Sequence, residues 1–166
     1  MSRHMRFCPT CSNTLERRQV ELHDPTERLA CSSMECQFVH FENPTPVVAA
    51  IVEHEGEIIL AHNVAWPADW YALVTGFLER NEIPHEAVLR EVKEELNLDG
   101  RVESFIGHYA FPRMNQLIIA YHVVATGEIK LNHELDDYKR VPPEEVVPWG
   151  AGTGEAVADW LKSRKA

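Results

Sequence analysis

Three glutamates in one acidic stretch have the types and the spacing of a metal-binding set. Glu91, Glu94 and Glu95 occupy positions i, i+3 and i+4. On a helix, side chains at this spacing are neighbours on the surface. Mg²⁺ and Mn²⁺ prefer hard oxygen ligands, which carboxylates converging from one side supply. The spacing therefore predicts a divalent-metal site, and the plainer alternative is a solvated acidic face.

The stretch from Pro84 to Leu96 has the pattern of a helix that could carry these acids. Pro84 suits a first turn because the N–H it lacks would be unpaired there, and Asn97 suits the left-handed residue that often ends a helix. An apolar stripe predicted to pack on a core consists of Val88, Leu89, Val92 and Leu96. Acids near a helix C-terminus are disfavoured by about 0.3–1 kcal/mol each. A bound cation would remove that repulsion.

The wider stretch resembles the signature box of the Nudix hydrolases. It follows the pattern G-x5-E-x7-R-E-V-x-E-E-x-N-L, with these positions filled: Gly76, Glu82, Arg90, Glu91, Val92, Glu94, Glu95 and Leu98. One position departs, because the family usually has Gly where this chain has Asn97, and Asn is the next most tolerant of positive φ. The resemblance implies an α/β fold, an α/β/α sandwich around a mixed sheet, and cleavage of a pyrophosphate in a nucleoside diphosphate linked to another group.

The same resemblance implies roles for the box residues. Three carboxylates would hold Mg²⁺ or Mn²⁺: Glu91, Glu95 and, as a further ligand, Glu94. Glu82 and Arg90 would orient these carboxylates, and Gly76 would offer backbone contacts to metal or phosphate. The metal would act as a Lewis acid and would activate water. The general base and the number of metal ions stay open.

Two close cysteine pairs precede this region. They are Cys8, Cys11, Cys31 and Cys36, with nineteen residues between the pairs. In a reducing compartment this arrangement is typical of a four-thiolate zinc site, whereas buried thiols or disulfides are the alternative. Short strands are expected at residues 18–22 and 37–41. The pattern predicts a zinc ribbon whose Zn²⁺ is structural, because a closed site leaves no open coordination position.

An Asn-Pro-Thr-Pro sequence at residues 43–46 marks the abrupt change of character in the chain. We expect a zinc ribbon over residues 1–43 and a Nudix hydrolase domain over residues 44–166. The second domain is predicted to contain strands at 47–52, 57–61, 70–74, 101–111 and 116–125, and an amphipathic helix at 153–164. Gly56 marks a hairpin turn between the first two strands.

Several residues outside the box are candidates for the substrate site. Phe111 and Arg113 at a predicted turn could stack a base and pair with phosphate, although an exposed hairpin could carry the same residues with no ligand. Tyr71 is a further candidate. Trp66 and Trp70 could wall a pocket or lie in the core, and the core is the expected place for at least one.

A second acidic cluster, at residues 132–138, could add a metal ligand or a base from Glu134 or Asp137, but most acidic loops are only solvated. The net charge of −10 argues against broad binding to nucleic acid or to an anionic membrane. No run approaches the roughly 18 apolar residues of a membrane span, and the N-terminus lacks a secretory apolar core. A cytoplasmic protein that binds a small nucleotide is expected.

The layout over about residues 8–162 resembles the Nudix subgroup that includes NADH pyrophosphatases. This implies a metal-dependent pyrophosphohydrolase acting on NADH, NAD or a similar dinucleotide with release of AMP, and homodimers are common among such relatives. FAD or ADP-ribose is the alternative substrate, because residues 106–113 keep only Phe111-Pro112 of the array usual in that subgroup. A different reading makes the ribbon a binding adaptor with an inactive Nudix body. Residues 1–40 contain five Arg and five acidic residues, so the ribbon lacks the excess of positive charge that nucleic-acid binding would favour.

Overall fold

The computed structural model describes residues 5–165, and the chain divides after Asn43 into two compact units. The expected domain bounds, 1–43 and 44–166, include residues 1–4 and 166, which lie outside the described residues. No helix in the described part of the chain is long and apolar enough to cross a membrane.

The first unit contains a three-stranded antiparallel sheet in the order β1-β2-β3. The strands are β1 Leu15–Gln19, β2 Glu27–Cys31 and β3 Val39–His40. The first strand therefore starts three residues before the predicted one, and the prediction missed β2. Leu15 pairs with Cys31, so the register places the end of β2 beside the start of β1. Four of the five β1 residues are exposed, which left no apolar alternation to mark its bounds.

The second unit is a six-stranded mixed sheet with a helix on each face. Its elements are β4 Thr45–His54, β5 Glu57–Asn63, β6 Val74–Phe77, α1 Pro84–Leu96, β7 Asp99–Phe111, β8 Gln116–Thr126, β9 Leu135–Val141 and α2 Gly154–Ser163. The sheet order is β7-β8-β4-β5-β9, and β6 also pairs with β4. Strands β4 and β8 are parallel, whereas the other pairs are antiparallel.

Strand β4 lies at the centre because its apolar run is buried on both faces. Val48 and Val52 belong to the cluster that packs under α1, while Ala49 and Ile51 belong to the cluster under α2. Helix α1 contributes Val88, Val92 and Leu96 to the first cluster, and α2 contributes Val157 and Trp160 to the second. The expected α/β/α sandwich is confirmed by this layering.

The chain before Gly76 differs from the prediction. The strand begins at Val74, not at residue 70, because residues 64–71 form turns in which Trp70 N–H donates to the Pro67 carbonyl at 2.9 Å. Trp66 and Trp70 are 36% and 59% exposed, so the expectation that at least one lies in the core is wrong. The two rings sit on turns, where no strand or helix face directs them inward.

The acidic stretch at residues 132–138 also differs, since its second half belongs to strand β9. Leu135 is buried and Tyr138 is partly buried against the cluster under α1, while the charged residues of the strand are mostly exposed. Within residues 5–165, strand β9 pairs with β5 alone and forms one edge of the sheet. Charges at an exposed edge hid the alternation that would have marked a strand.

Candidate functional site

The carboxyl group of Glu91 lies directly against the backbone of Gly76. Strand β6 places Gly76 opposite Val48, on the face covered by α1. A Cβ added to Gly76 would stand 1.8 Å from Cδ of Glu91. Glycine is therefore required here by space, and it allows the helix and the strand to approach closely enough to bury the carboxylate.

Arg90 links the helix to the loop and strand before it. Its Nε and Nη2 donate to the two oxygens of Glu82 at 2.7 and 3.0 Å, and Nη2 also donates to the Phe77 carbonyl at 3.2 Å. Its Nη1 donates to Glu91 Oε1 at 2.7 Å and to Glu94 Oε2 at 3.1 Å. The hydrogen bonds from Arg90 hold the pKa of Glu82 below its usual value. The guanidinium thereby fixes three carboxylates of the box.

Glu95 is a buried carboxylate whose neighbours are other acids. It is 8% exposed, and none of the residues described by the structure donates a hydrogen bond to its side chain. Burial raises the pKa of Glu95 to about 8, and the charges of Glu91, Glu134 and Glu94 act in the same direction. Burial also raises the pKa of Glu91, against the lowering effect of Arg90. Acids are rarely buried without a partner, and a nearby cation would reverse these shifts.

An open cleft of about 440 Å³ lies over these acids. Its lining residues are Val47, Thr75, Gly76, Phe77, Glu79, Arg90, Glu91, Glu94, Glu95, Gln116 and Glu134. The structure thus brings the box acids together with Glu134, while Glu82 takes part through Arg90. Sequence reasoning did not single out five side chains of the lining, Val47, Thr75, Phe77, Glu79 and Gln116. Phe77 and Glu79 adjoin the box glycine, which could have signalled them, whereas nothing local marks Gln116.

Four other candidates, Tyr71, Phe111, Arg113 and Asp137, do not line this cleft. The Tyr71 hydroxyl donates to Asp137 Oδ2 at 2.5 Å, and Lys139 Nζ lies 3.7 Å from the centre of the Tyr71 ring. Phe111 packs against the apolar cluster under α2. Arg113 is exposed on a 3₁₀ turn at Pro112–Met114.

The donor set fits a hard divalent cation at Glu91 and Glu95. Both carboxylates are almost fully buried, and Glu95 has no donor of its own among the described residues. Glu94 is exposed and turned to Arg90, and the three box acids do not gather within 4.8 Å of one another as the cysteines do. Mg²⁺ commonly uses one or two carboxylates and keeps several waters. Two carboxylates are therefore compatible with such an ion.

The four cysteines form a compact sulfur cluster. Within the described residues they are the one group of three or more potential ligands whose donor atoms all lie within 4.8 Å of one another. Cys8 and Cys36 Sγ are 3.7 Å apart, and Cys11 and Cys31 Sγ are 3.4 Å apart. These separations exceed a disulfide bond and approach the roughly 3.8 Å expected for a tetrahedron with Zn–S bonds of about 2.3 Å. The geometry is compatible with Zn²⁺.

The sequence profile of the NUDIX domain family matches residues 43–161. The chain belongs to this family. It is 30% identical over 153 residues to the NAD-capped RNA hydrolase NudC of Vibrio vulnificus, covering 89% of this chain and 55% of that protein. It is 32% identical over 143 residues to NudC of Vibrio atlanticus, covering 82% and 49%. The chain therefore spans about half the length of these curated relatives.

Solved structures share the fold. A Nudix hydrolase from Nitrosomonas europaea matches with a TM-score of 0.81 at 23% identity, covering 97% of this chain and 93% of the other. An ADP-ribose pyrophosphatase from Streptococcus suis matches with a TM-score of 0.61 at 19% identity, covering 75% and 94%. The Nudix resemblance inferred from Gly76–Leu98 is confirmed by the family profile.

Replacing Gly76 with Ala should weaken Mn²⁺ binding about 10–100-fold, because the added methyl group would displace the Glu91 carboxylate. Mn²⁺ titration followed by electron paramagnetic resonance measures this affinity. Gly150→Ala is the matched control, since an added Cβ there would meet no atom within 4 Å. An unchanged affinity in folded Gly76→Ala would contradict the proposed role of this contact.

Replacing Cys31 with Ser should lower the zinc content from about one ion per chain to nearly none, because three thiolates hold Zn²⁺ less tightly than four. Elemental analysis of the purified protein provides the measurement. Ser32→Ala alters the neighbouring exposed side chain and should keep its zinc. Equal zinc in wild type and Cys31→Ser would show that the cysteine cluster does not hold the ion.

Proposed function

We propose that this chain is a metal-dependent pyrophosphohydrolase that cleaves the diphosphate of NADH, NAD or a similar dinucleotide and releases AMP. The observation that carries the proposal is the pair of buried carboxylates, Glu91 and Glu95, at the base of the cleft. The name of the NudC relatives, NAD-capped RNA hydrolase, supports an NAD-like substrate. The ribbon, residues 1–43, is proposed to be a separate domain with structural Zn²⁺, and residues 44–166 the hydrolase domain.

The charges of the cleft make metal binding a condition for substrate binding. Five of its lining residues are acids, and its one cation among the described residues, Arg90, already donates to three carboxylates and a carbonyl. A diphosphate would meet net negative charge there. Bound Mg²⁺ or Mn²⁺ supplies the neutralising charge and a Lewis acid that activates water. We therefore expect nucleotide binding itself, and not only turnover, to depend on the metal.

The residues around the cleft have different proposed roles. Glu91 and Glu95 would hold the metal, and Arg90 with Glu82 would keep the carboxylates in place. Glu134 lines the cleft, and its backbone is held by hydrogen bonds from Val64 N–H to its carbonyl and from its own N–H to Asn132 Oδ1, both 2.9 Å.

Of the two residues considered for a further ligand or base, Glu134 is the better candidate. Its carboxylate lies close enough to raise the pKa of Glu95, whereas Asp137 accepts the hydrogen bond of Tyr71 and does not line the cleft. We propose that Glu134 binds the metal or accepts the proton of the attacking water.

RNA carrying an NAD cap is a second candidate substrate. The expectation that nucleic acid is an improbable partner rested on the net charge of −10, which bears on broad binding to a polyanion. A capped 5′ end presents the same dinucleotide diphosphate to the cleft, and the NudC relatives are named for that activity. The net charge of the protein therefore does not indicate whether free NAD or NAD-capped RNA is the substrate.

A product assay tests the proposed function. NAD, NADH, FAD, ADP-ribose, a diadenosine polyphosphate and an NAD-capped oligonucleotide would each be incubated with Mg²⁺ and with Mn²⁺, and AMP or the monophosphate end would be separated by chromatography. We expect the highest kcat/KM with NAD or NADH, free or as a cap. A preference for FAD or ADP-ribose would support the alternative substrates. Oligonucleotide binding with no turnover of any compound would support the adaptor.

Replacing Glu95 with Gln should lower turnover at least about 100-fold, because a metal ligand is lost. Without metal, the fold should keep its thermal stability below about pH 4.5, where the wild-type carboxyl is protonated in the folded and the unfolded chain, and should gain stability as the pH rises towards 8. Over that range Glu95, with a pKa of about 8, keeps in the folded wild type a proton that the unfolded chain releases, and Gln does not carry this cost. Steady-state kinetics at saturating metal and a thermal melt measure the two effects. Glu86→Gln, in the exposed first turn of the same helix, is the control and should leave both unchanged. Full activity in Glu95→Gln would contradict the assignment.

A further inference from the structure

The cleft changes chemical character from one face of the sheet to the other. Glu91 and Glu95 come from α1, on the face where Val48 and Gly76 pair. Val47 and Phe77 also pair with each other, and because side chains alternate along a strand they point to the opposite face. Among the described lining residues, none of those that the strand pairing places on that face is charged.

Strand β8 adds a polar side chain to this uncharged wall. Ile118 pairs with Val47 and belongs to the cluster under α2. Gln116 precedes Ile118 by two residues and so faces the same side, where it lines the cleft. The uncharged side chains around the opening are Val47, Thr75, Phe77 and Gln116.

The Gln116 amide has no partner within the described part of the chain. It is half-buried, and no residue there hydrogen-bonds to its side chain. A primary amide offers two N–H donors and one carbonyl acceptor, and leaving them unmatched when a ligand covers them is costly. A ligand that closes the cleft must therefore match this amide.

The chemistry of the amide indicates which part of a substrate it meets. A phosphate is matched by cations or by several N–H donors, and none of the described residues that form this wall is a cation. A side-chain amide pairs well with a neutral edge that presents a donor beside an acceptor, as Gln does with adenine. Adenine and the carboxamide of nicotinamide both have such an edge.

We propose that Gln116 is a specificity residue whose amide hydrogen-bonds the neutral edge of a substrate base while the diphosphate is held at Glu91 and Glu95. This inference rests on the proposed function, since it takes a dinucleotide as the substrate. It separates the two tasks of the cleft. The acidic side binds the metal and the reacting group, and the uncharged side reads the base.

The test measures kcat/KM for NAD and two analogues in wild type, Gln116→Leu and Gln116→Glu. In nicotinamide hypoxanthine dinucleotide the adenine amino group is replaced by an oxo group, and in nicotinic acid adenine dinucleotide the carboxamide is replaced by a carboxylate. We expect wild type to favour NAD over one analogue about tenfold, and Gln116→Leu to lose this preference through a higher KM for NAD. The analogue concerned identifies the base that Gln116 reads.

Controls separate this inference from the proposed function. Thr126→Val, at the exposed far end of β8, should keep the wild-type preference, and Gln116→Glu keeps the shape of the side chain if Leu impairs folding. If both Gln116 variants change kcat/KM equally for all three compounds, or leave it unchanged, the role of Gln116 is overturned. The proposed function is not affected by that result. No turnover of any of the three by wild type would overturn the proposed function, and this inference with it.

Discussion

The contact between Gly76 and the Glu91 carboxylate is the constraint on which the site depends. It sets the distance between α1 and β6, and a side chain at Gly76 would remove it. Arg90, the residue before Glu91, donates hydrogen bonds to Glu82 and to the Phe77 carbonyl. These bonds hold the helix, the loop and the strand together. The helix dipole and burial both disfavour negative charge on the acids at the end of α1. The packing of Val88 and Val92 in the core holds the helix, and with it these acids, in place.

These unfavourable acids give the cleft its chemistry. Glu91 and Glu95 are buried with too few donors, so the site favours a cation of high charge. In the proposed function, a bound cation would reverse the charge that a diphosphate meets. The uncharged wall across β6, β4 and β8 would leave the rest of the substrate to hydrogen bonding and apolar contact. The proposal therefore assigns reaction and recognition to opposite faces of the same strands.

Much of this arrangement could be predicted from local signals. Pro84 and Asn97 mark the ends of α1, and Asn97 has the expected left-handed backbone, with φ of 61°. Gly56, with φ of 83°, turns the hairpin between β4 and β5. Each of these signals acts within a few residues, which is the range over which sequence patterns are informative. The cysteine spacing worked for the same reason.

The remainder depends on long-range pairing, which no local pattern encodes. Gln116 reaches the cleft because β8 pairs in parallel with β4, about seventy residues away along the chain. Tyr71, Phe111 and Arg113 have suitable chemistry but are not among the residues that line the cleft over the acids, so their part in substrate binding stays a prediction. The two exposed tryptophans show that residue type alone does not predict burial.

Anomalous diffraction from crystals grown with Mn²⁺ tests the metal site, because it locates the ion without reference to activity. We expect an anomalous peak in the cleft, bonded to oxygens of both Glu91 and Glu95, and its loss from crystals of a variant with both residues changed to Gln. Saturating Mn²⁺ with no peak at either carboxylate would contradict a metal site at these two residues.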